Sequence, residues 1–230
     1  MQISIHINEL GKKFVNEWIF KNVTLTIYPG EKLVILGSNG SGKSTLLQSI
    51  SSFLIPTKGE VVWKKVRDAE IDSASDRVRN EFGMTEIIED DFIYKHLSMA
   101  SPYMELIEDF TLTETINHQK QFKPFVNNLS TKEIIALMQL EHAGEKYIKN
   151  YSSGMKQRVK LGLAILADCP VLLLDEPCSN LDANAIAWYQ TMIKDFAQHK
   201  TILVCSNTIT EEYLFCTNKM EIEKYKLKKS

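Results

Sequence analysis

The sequence has little of what would mark a disulfide scaffold, a metal centre or a membrane span. Its 230 residues include only four cysteines, none in a CxxC pair, and five histidines that are scattered along the chain. No apolar run approaches the roughly 20 residues needed to cross a bilayer. The start, "MQISIHINEL", does not resemble a signal peptide. We therefore expect a chain that stays in the cytosol.

An excess of charge of one sign is also missing. The net charge is -2 and the pI is about 6.2, so no global basic field attracts nucleic acid, and we expect no such partner. A hydrophobic content of 44% and a charged content of 24% are typical of a globular protein. The length suits one domain or a domain with an embedded subdomain.

Hydrophobic patterning in the first half predicts strands followed by a helical insert. The segments "QISIHI", "VTLTIY", "EKLVILG" and "PTKGEVVW" indicate strands, and "KSTLLQSISSF" indicates a helix. Residues 68–91 hold nine acidic residues against two arginines, which favours a solvated loop or short hairpin over a docking site. From about Tyr103 to Lys149 the pattern is helical, with Ser130 and Glu133 at the spacing of a capping box.

The second half alternates buried strands with helices. "GMKQRVKLGLAILADCP" predicts a helix ended by Pro170, and "VLLLDEP" and "TILVCS" predict buried strands. Between them, a helix places Ile186, Tyr189, Ile193 and Phe196 on one face. This alternation predicts a parallel sheet covered on both faces, whose ligands bind beyond the carboxyl ends of the strands.

A glycine-rich segment, "GSNGSGKST", follows one predicted strand and opens a helix. It matches G-x-x-x-x-G-K-[ST], whose backbone amides surround phosphates at a helix N-terminus. Lys43 would neutralise the β- and γ-phosphates, and Ser44 would coordinate Mg²⁺. The predicted ATP contacts are Gly37, Ser38, Asn39, Gly40, Ser41, Gly42, Lys43, Ser44 and Thr45.

An acidic pair ends the apolar strand in "VLLLDEP". Asp175 is placed to support Mg²⁺, whereas Glu176 could align or deprotonate the attacking water. Alone, two acidic residues after a strand could be a turn. In combination with the phosphate loop, they predict a nucleotide hydrolase.

Several further segments resemble the ABC-type ATPases. "YSSGMKQR", Tyr151 to Arg158, is similar to the signature of that family and precedes the acidic strand as it does there. "SNLD", with Asp182, stands at the position of the D-loop, and "PTKGEV" matches the segment after the phosphate-loop helix. Phe14 occupies the place of the aromatic residue that stacks on adenine. The resemblance covers essentially the whole chain.

The resemblance implies an α/β P-loop NTPase fold of ABC type. It would have a parallel-sheet core, an N-terminal antiparallel β subdomain and an inserted α-helical subdomain. A single domain would cover residues 1–230, with the core at about 1–98 and 161–230 and the helical subdomain at about 99–160. Two such domains, as a homodimer or a heterodimer with a similar subunit, would close head to tail over two ATP molecules. Ser152, Ser153 and Gly154 would complete the opposing phosphate loop.

The sequence departs from the family pattern at three places. The signature has Tyr151 for leucine, Ser153 for glycine and Met155 for glutamine. Ala100 or Ser101 stands where the family has a glutamine, and Ser101 is a candidate Mg²⁺ contact through water. Asn207 replaces the switch histidine.

The replacement of that histidine changes what the switch position can do. The amide of Asn207 can donate a hydrogen bond to the γ-phosphate, but it cannot become cationic as imidazole can. We therefore expect slow ATP hydrolysis in which Asn207 takes part with Lys43 and Glu176. Thr208 to Glu212 would begin a helix.

Three functions fit these observations. The first is the ATPase subunit of a transporter, which the signature variant suggests is an exporter, held at the inner face of the cell membrane by separate membrane-spanning permease subunits. The second is an ABC-type ATPase that remodels an assembly without transport. The third is a slow nucleotide-dependent clamp, although Lys43, Asp175 and Glu176 argue for turnover. We favour the first.

Overall fold

The computed structural model describes residues 1–66, 86–207 and 209–226. The strands in these ranges are β1 (Gln2–Phe14), β2 (Glu17–Ile27), β3 (Lys32–Leu36), β4 (Lys58–Val66), β5 (Glu86–Ile88), β6 (Leu97–Ala100), β7 (Val171–Asp175), β8 (Thr201–Ser206) and β9 (Asn218–Glu221). The α-helices are α1 (Lys43–Ile50), α2 (Leu112–Lys120), α3 (Thr131–Leu137), α4 (Ser153–Leu166) and α5 (Ala183–Phe196). Short 3-10 turns join several of them.

The strands form two sheets of different kinds. An antiparallel sheet has the order β2-β1-β4-β5, and a parallel sheet has the order β6-β7-β8-β3-β9. The helices α2 and α3 lie in the chain between β6 and α4. The predicted α/β fold, with its parallel core, antiparallel sheet and inserted helices, is confirmed.

The parallel sheet divides the hydrophobic core into two clusters. Side chains alternate along a strand, so in β7 Leu172 and Leu174 join one cluster while Val171 and Leu173 join the other. The first cluster contains buried residues of α2 to α5, and the second contains those of the antiparallel sheet and α1. Burial on both faces explains why "VLLLD" is apolar without interruption.

Capping residues set the starts of the inserted helices. Thr111 and Glu114 form a complete capping box at α2, and the predicted box of Ser130 and Glu133 is present at α3. The indole Nε1 of Trp188 donates to the Leu137 carbonyl oxygen at 2.7 Å and so ties α5 to the end of α3. The predicted subdomain boundaries stay a prediction, and residue 160 lies within α4.

The end of α4 differs from the prediction that Pro170 stops the helix. The helix ends at Leu166, four residues earlier, and the buried ammonium of Lys200 donates to the carbonyl oxygens of Ile165 and Ala167 at 2.7 and 2.5 Å. A cation at a helix C-terminus satisfies carbonyl groups that have no partner within the helix. A lysine 30 or more residues further along the chain therefore completes this terminus, and the proline does not.

The buried face of α5 is wider than predicted. Tyr189 and Ile193 are buried as expected, and Ile186 and Phe196 are partly buried. The residues at 185, 188 and 192 are buried as well, because α5 packs against α4 and the 3-10 turn Thr210–Glu212 and belongs to the cluster on one face of the parallel sheet. Only a helix covered on more than one side buries so broad a face.

Part of the acidic segment 68–91 is described. β5 pairs antiparallel with β4, as a hairpin elaboration would, and a 3-10 turn spans Asp90–Lys95. Residues 67–85 lie outside the described residues.

Within the described ranges, no helix combines the length and the apolar character needed to cross a membrane.

Candidate nucleotide-binding site

The phosphate loop lies between β3 and α1, where the sequence predicts it. Gly40 and Gly42 have φ angles of 73° and 101°, in the left-handed region that glycine tolerates best. A Cβ on Gly42 would also lie 2.4 Å from Cγ2 of Ile19. Both glycines are therefore needed for the turn that leads into α1.

Gly37 is required for another reason. Its φ angle is not positive, but a Cβ there would lie 2.5 Å from the Ser41 Oγ and 2.6 Å from Cγ2 of Ile222. The loop therefore packs tightly onto the C-terminal part of the fold. The buried Ser41 hydroxyl has no hydrogen-bond partner among the described residues, which is consistent with a loop shaped to receive a polar ligand.

Lys43 lies inside the loop. Its side chain is 4% exposed, and Nζ donates to the carbonyl oxygens of Gly37 at 2.8 Å and Ser38 at 3.1 Å. The same Nζ lies 3.9 Å from Oε1 of Glu176. A nearly buried ammonium among backbone amides is suited to bind a phosphate group.

Asp175 ends β7 and is buried beside the loop. Burial raises the pKa of its carboxyl group, while hydrogen bonds from Ser44 and Ser101 and the charge of Lys43 oppose that rise. Ser101 Oγ donates to Oδ2 at 3.3 Å. Oδ1 is buried and has no partner among the described residues. A carboxylate oxygen left without a partner in this way is where a divalent cation fits.

The oxygen atoms beside the phosphate loop suit Mg²⁺, but they are too few to hold it without a bound nucleotide. Ser44, Asp175 and Ser101 offer the hard oxygen atoms that Mg²⁺ prefers. In the described part of the chain, no three His, Cys, Asp or Glu residues are grouped closely enough to hold a metal ion on their own. Phosphate oxygens would therefore supply the remaining ligands, as is usual for Mg²⁺ bound with a nucleotide.

Glu176 follows Asp175 in an unusual backbone conformation. Its φ angle is 45°, and its amide donates to the Cys205 carbonyl oxygen at 2.9 Å, which extends the contact with β8 one residue beyond the end of β7. Its side chain is 30% exposed and faces Lys43. Left-handed conformations of residues other than glycine cluster at functional sites. Here, the conformation presents a carboxylate at the mouth of the loop.

The structure brings Asn207 to the phosphate loop. Leu36 and Ser206 are partners in the parallel pairing of β3 with β8, so both strands end at one edge. Asn207 Nδ2 donates to Oδ1 of Asn39 at 2.8 Å. Sequence reasoning assigned Asn39 to the ATP contacts and Asn207 to the γ-phosphate but missed this amide pair. The expected helix start is wrong: Thr210–Glu212 form one 3-10 turn, and Thr208 lies outside the described residues.

Glu212 is a buried residue that sequence reasoning missed. One carboxylate oxygen accepts from the Cys178 amide at 3.0 Å, and the other accepts a short hydrogen bond from Ser206 Oγ. Burial raises the pKa of Glu212, and these hydrogen bonds oppose that effect. Glu212 therefore joins the segment after Glu176 to the residue before Asn207. No local pattern in "NTITEE" distinguishes it from the exposed Glu211.

The predicted signature residues form the start of α4. The Ser152 side chain caps the helix by accepting from the Met155 amide at 3.2 Å. Ser152 and Ser153 are exposed, and a Cβ on Gly154 would lie 3.1 Å from the Asn180 carbonyl oxygen. The helix therefore presents an N-terminus to solvent, where backbone amides can bind an anion.

Two other predicted residues lie at chain turns. Asp182 caps α5 by accepting from the Ala185 amide at 2.8 Å. Phe14 ends β1 with an exposed ring, and Lys12 Nζ lies 5.1 Å from the centre of that ring. An exposed aromatic ring remains available to stack on a base.

Comparison with known families identifies the chain. The model of the family described as "ABC transporter" matches residues 20–179, from β2 to beyond the acidic pair. The chain belongs to the ABC transporter family. The resemblance stated from its motifs is thereby confirmed.

Members of the ABC transporter family with related sequences have different names and lengths. The ABC transporter ATP-binding protein YcbN of Bacillus subtilis is 27% identical over 92% of this chain and 64% of its own length. The sulfate/thiosulfate import ATP-binding protein CysA of Nitrosomonas europaea is 31% identical over 79% of this chain and 47% of its own length. The chain thus spans about half to two thirds of these relatives.

Solved structures of ABC proteins share the fold. A dimeric post-hydrolysis state of the ATP-binding cassette MJ0796, bound to ADP and phosphate, is 24% identical, with a TM-score of 0.73 over 95% of this chain and 94% of that one. A bacterial Atm1-family ABC exporter with ATP bound is 17% identical, with a TM-score of 0.74 over 100% of this chain and 39% of that one. At these identities, the likeness establishes the fold.

Proposed function

We propose that this chain is the ATP-binding and ATP-hydrolysing subunit of an ABC transporter, with Mg²⁺ as its metal cofactor. The observation that carries the proposal is the convergence of Lys43, Asp175, Glu176 and Asn207 at the carboxyl edge of the parallel sheet. Catalysis of phosphoryl transfer depends on positioning and on charge neutralisation, and these side chains suit both tasks.

Each residue has a distinct role in this proposal. The loop amides and Lys43 bind the phosphates, and Ser44 and Asp175 would hold Mg²⁺, with Ser101 hydrogen bonded to the same carboxylate. Bound Mg²⁺ supplies positive charge against the phosphate oxygens. Glu176 orients the attacking water or accepts its proton. Asn207 donates a hydrogen bond to the γ-phosphate.

The subunit acts as a dimer in this proposal. ATP binding joins two copies, or one copy and a similar subunit, head to tail. The exposed start of α4, with Ser152, Ser153 and Gly154, binds the nucleotide held by the other subunit. Asp182, the N-cap of α5, would lie between the two sites of such a dimer. Hydrolysis and product release then reopen the dimer.

A separate membrane-spanning permease is the proposed partner. Between β6 and α2, Tyr103, Met104 and Ile107 are exposed beside a groove of about 420 Å³ that Leu106 and Lys156 help to line. Exposed apolar side chains grouped in this way are typical of interaction sites. The subunit would work in the cytoplasm, peripheral to the inner face of the membrane, and the signature variant favours export.

Two substitutions test the enzymatic part. Glu176→Gln should bind ATP, lose turnover and accumulate as a dimer in size-exclusion chromatography, because the carboxylate is removed and the binding groups stay. Lys43→Ala should lose tight ATP binding. Hydrolysis by the Glu176→Gln protein at the normal rate would exclude the proposed role of Glu176, and undiminished ATP binding by Lys43→Ala would exclude the phosphate-loop assignment.

Copurification tests the transport part. Expression with the gene's neighbours should recover a subunit with several membrane-spanning segments, and reconstituted vesicles should move substrate away from the ATP-binding side. Copurification with assembly factors alone would contradict transport. Movement towards the ATP-binding side would contradict export.

A further inference from the structure

A carboxylate from the end of the chain contacts the phosphate loop. Glu223 lies in the 3-10 turn Ile222–Tyr225, directly after β9. The Ser38 amide donates to its Oε1 at 2.7 Å, and the Ser38 hydroxyl donates to the same oxygen at 3.1 Å. No predicted site residue or recognised motif includes Glu223. The contact joins residues 185 positions apart in the sequence.

The fold brings the two segments together. β9 runs parallel beside β3, with Glu221 opposite Leu36, so the residues after both strands continue side by side. Ile222 is fully buried and packs onto Gly37, where a Cβ would lie 2.6 Å from its Cγ2 and 2.9 Å from Glu223 Oε2. The register of the sheet and the absence of a side chain at residue 37 therefore fix the position of Glu223.

The Glu223 side chain is suited to hold the loop because it is ionised. Partial desolvation opposes ionisation, but the hydrogen bonds from Ser38 and from its own backbone amide outweigh it and lower the pKa of Glu223. Glu223 is therefore ionised near neutral pH. Hydrogen bonds to an ionised acceptor are stronger than those between neutral groups.

The first residues of the loop have few other anchors. Ser38, Asn39 and Gly40 are exposed; Asn39 accepts from Asn207, the Ser41 amide donates to the Ser38 carbonyl oxygen at 3.0 Å, and Lys43 Nζ bonds to the Gly37 and Ser38 carbonyl oxygens. An ammonium that turns to bind phosphates has to give up such bonds. The contact from Glu223 reaches the opposite side of the same peptide segment, at the Ser38 amide, and does not compete with Lys43.

We propose that Glu223 is a positioning residue that holds the first residues of the phosphate loop in the conformation that binds ATP. This inference rests on the proposed function. It predicts that the C-terminal turn contributes to nucleotide affinity without contacting the nucleotide. The alternative is that a carboxylate near the loop repels the phosphates, and it predicts the opposite sign, because removing the charge would tighten binding.

Three variants and one control separate these outcomes. Glu223→Ala removes both hydrogen bonds, whereas Glu223→Gln keeps an acceptor oxygen and removes the charge. Ser38→Ala removes only the hydroxyl donor. Glu221→Ala is the matched control, because Glu221 is an exposed carboxylate of the same segment that pairs with Lys224 at 3.1 Å.

The affinity of each protein for a fluorescent ATP analogue with Mg²⁺ is the first measurement. Glu223→Ala should raise the dissociation constant about five- to tenfold, as expected for the loss of a charge-assisted hydrogen bond at an exposed site. Glu223→Gln should stay within about threefold of the unsubstituted chain, and Glu221→Ala within about twofold. Ser38→Ala should weaken binding alone but add nothing to Glu223→Ala.

Hydrogen exchange without nucleotide is the second measurement. The Ser38 amide should exchange faster in Glu223→Ala than in Glu221→Ala, while the two variants melt at the same temperature. A purely structural role would instead lower the melting temperature of Glu223→Ala. If Glu223→Ala does not fold, Ser38→Ala and Glu223→Gln provide the test.

The outcomes distinguish the inference from the proposed function. If the unsubstituted chain does not bind the ATP analogue, the proposed function fails and the inference fails with it. If that chain binds and Glu223→Ala binds equally well or more tightly, only the inference is refuted.

Discussion

Lys200→Met tests how the end of α4 is stabilised. The buried ammonium of Lys200 donates to the Ile165 and Ala167 carbonyl oxygens, and burial lowers its pKa from 10.5 to about 8. Between these pH values the unfolded chain carries a proton at this lysine that the folded chain lacks, so the free energy of unfolding rises with pH. The difference in pKa corresponds to about 3 kcal/mol. Burial of the charged Lys200 therefore lowers the free energy of unfolding by this amount below pH 8, and this penalty disappears above pH 10.5.

The methionine variant removes the penalty and the hydrogen bonds together. Leaving two buried carbonyl oxygens without partners costs about 1–3 kcal/mol each, which offsets the gain from removing a buried charge. The difference at pH 7 alone is therefore a poor test. The pH dependence of the difference between the two proteins isolates the titration of Lys200.

Urea unfolding monitored by tryptophan fluorescence, from pH 7.5 to pH 10.5, measures that difference. The stability of the unsubstituted chain relative to Lys200→Met should rise by about 3 kcal/mol across this range. Lys194→Met, which removes an exposed charge from α5, is the matched control. Parallel stability curves for the unsubstituted chain and Lys200→Met would refute the assignment of a buried, titrating ammonium.

Three further predictions concern the site. Gly42→Ala should unfold more easily and lose ATP affinity. Adding Ile19→Ala should restore only part of the stability and of the affinity, because it relieves the clash but leaves alanine at a φ angle of 101°. Full rescue by the double variant would contradict this. Asn207→Ala should hydrolyse ATP more slowly than the unsubstituted chain, whose rate is already slow, and steady-state phosphate release measures this. Unchanged turnover would show that Asn207 serves only as a turn residue. Glu212→Ala should lower the free energy of unfolding by about 2–5 kcal/mol, because two buried donors lose their acceptor, whereas Glu211→Ala should have little effect.

The sequence predicted features whose causes are local. The phosphate loop is contiguous, the acidic pair directly follows an apolar strand, and the capping box at α3 needs only Ser130 and Glu133. Spacing within a few residues is enough to specify such features. The alternation of buried strands with helices also predicted the parallel sheet, because the periodicity of each segment reports which of its faces are covered.

Side-chain contacts that depend on strand order could not be predicted from the sequence. The Asn39–Asn207 pair spans 168 positions and the Ser101–Asp175 bond spans 74. Each forms because parallel pairing brings the carboxyl ends of neighbouring strands to one edge. Pairing of non-consecutive strands is a long-range property, which no local propensity encodes.

By itself the sequence determined the motifs that predict nucleotide binding and the kind of sheet that holds them. Tertiary structure decided how those residues are supported. Lys200 donates to carbonyl oxygens at the end of α4, which lies four residues before Pro170. Glu212 resembles other acidic turn residues in the sequence but is buried between Cys178 and Ser206. Glu223 contacts Ser38 only because β9 lies beside β3. Burial and charge–dipole contacts depend on the neighbours that packing supplies, so such roles become visible only in the folded chain.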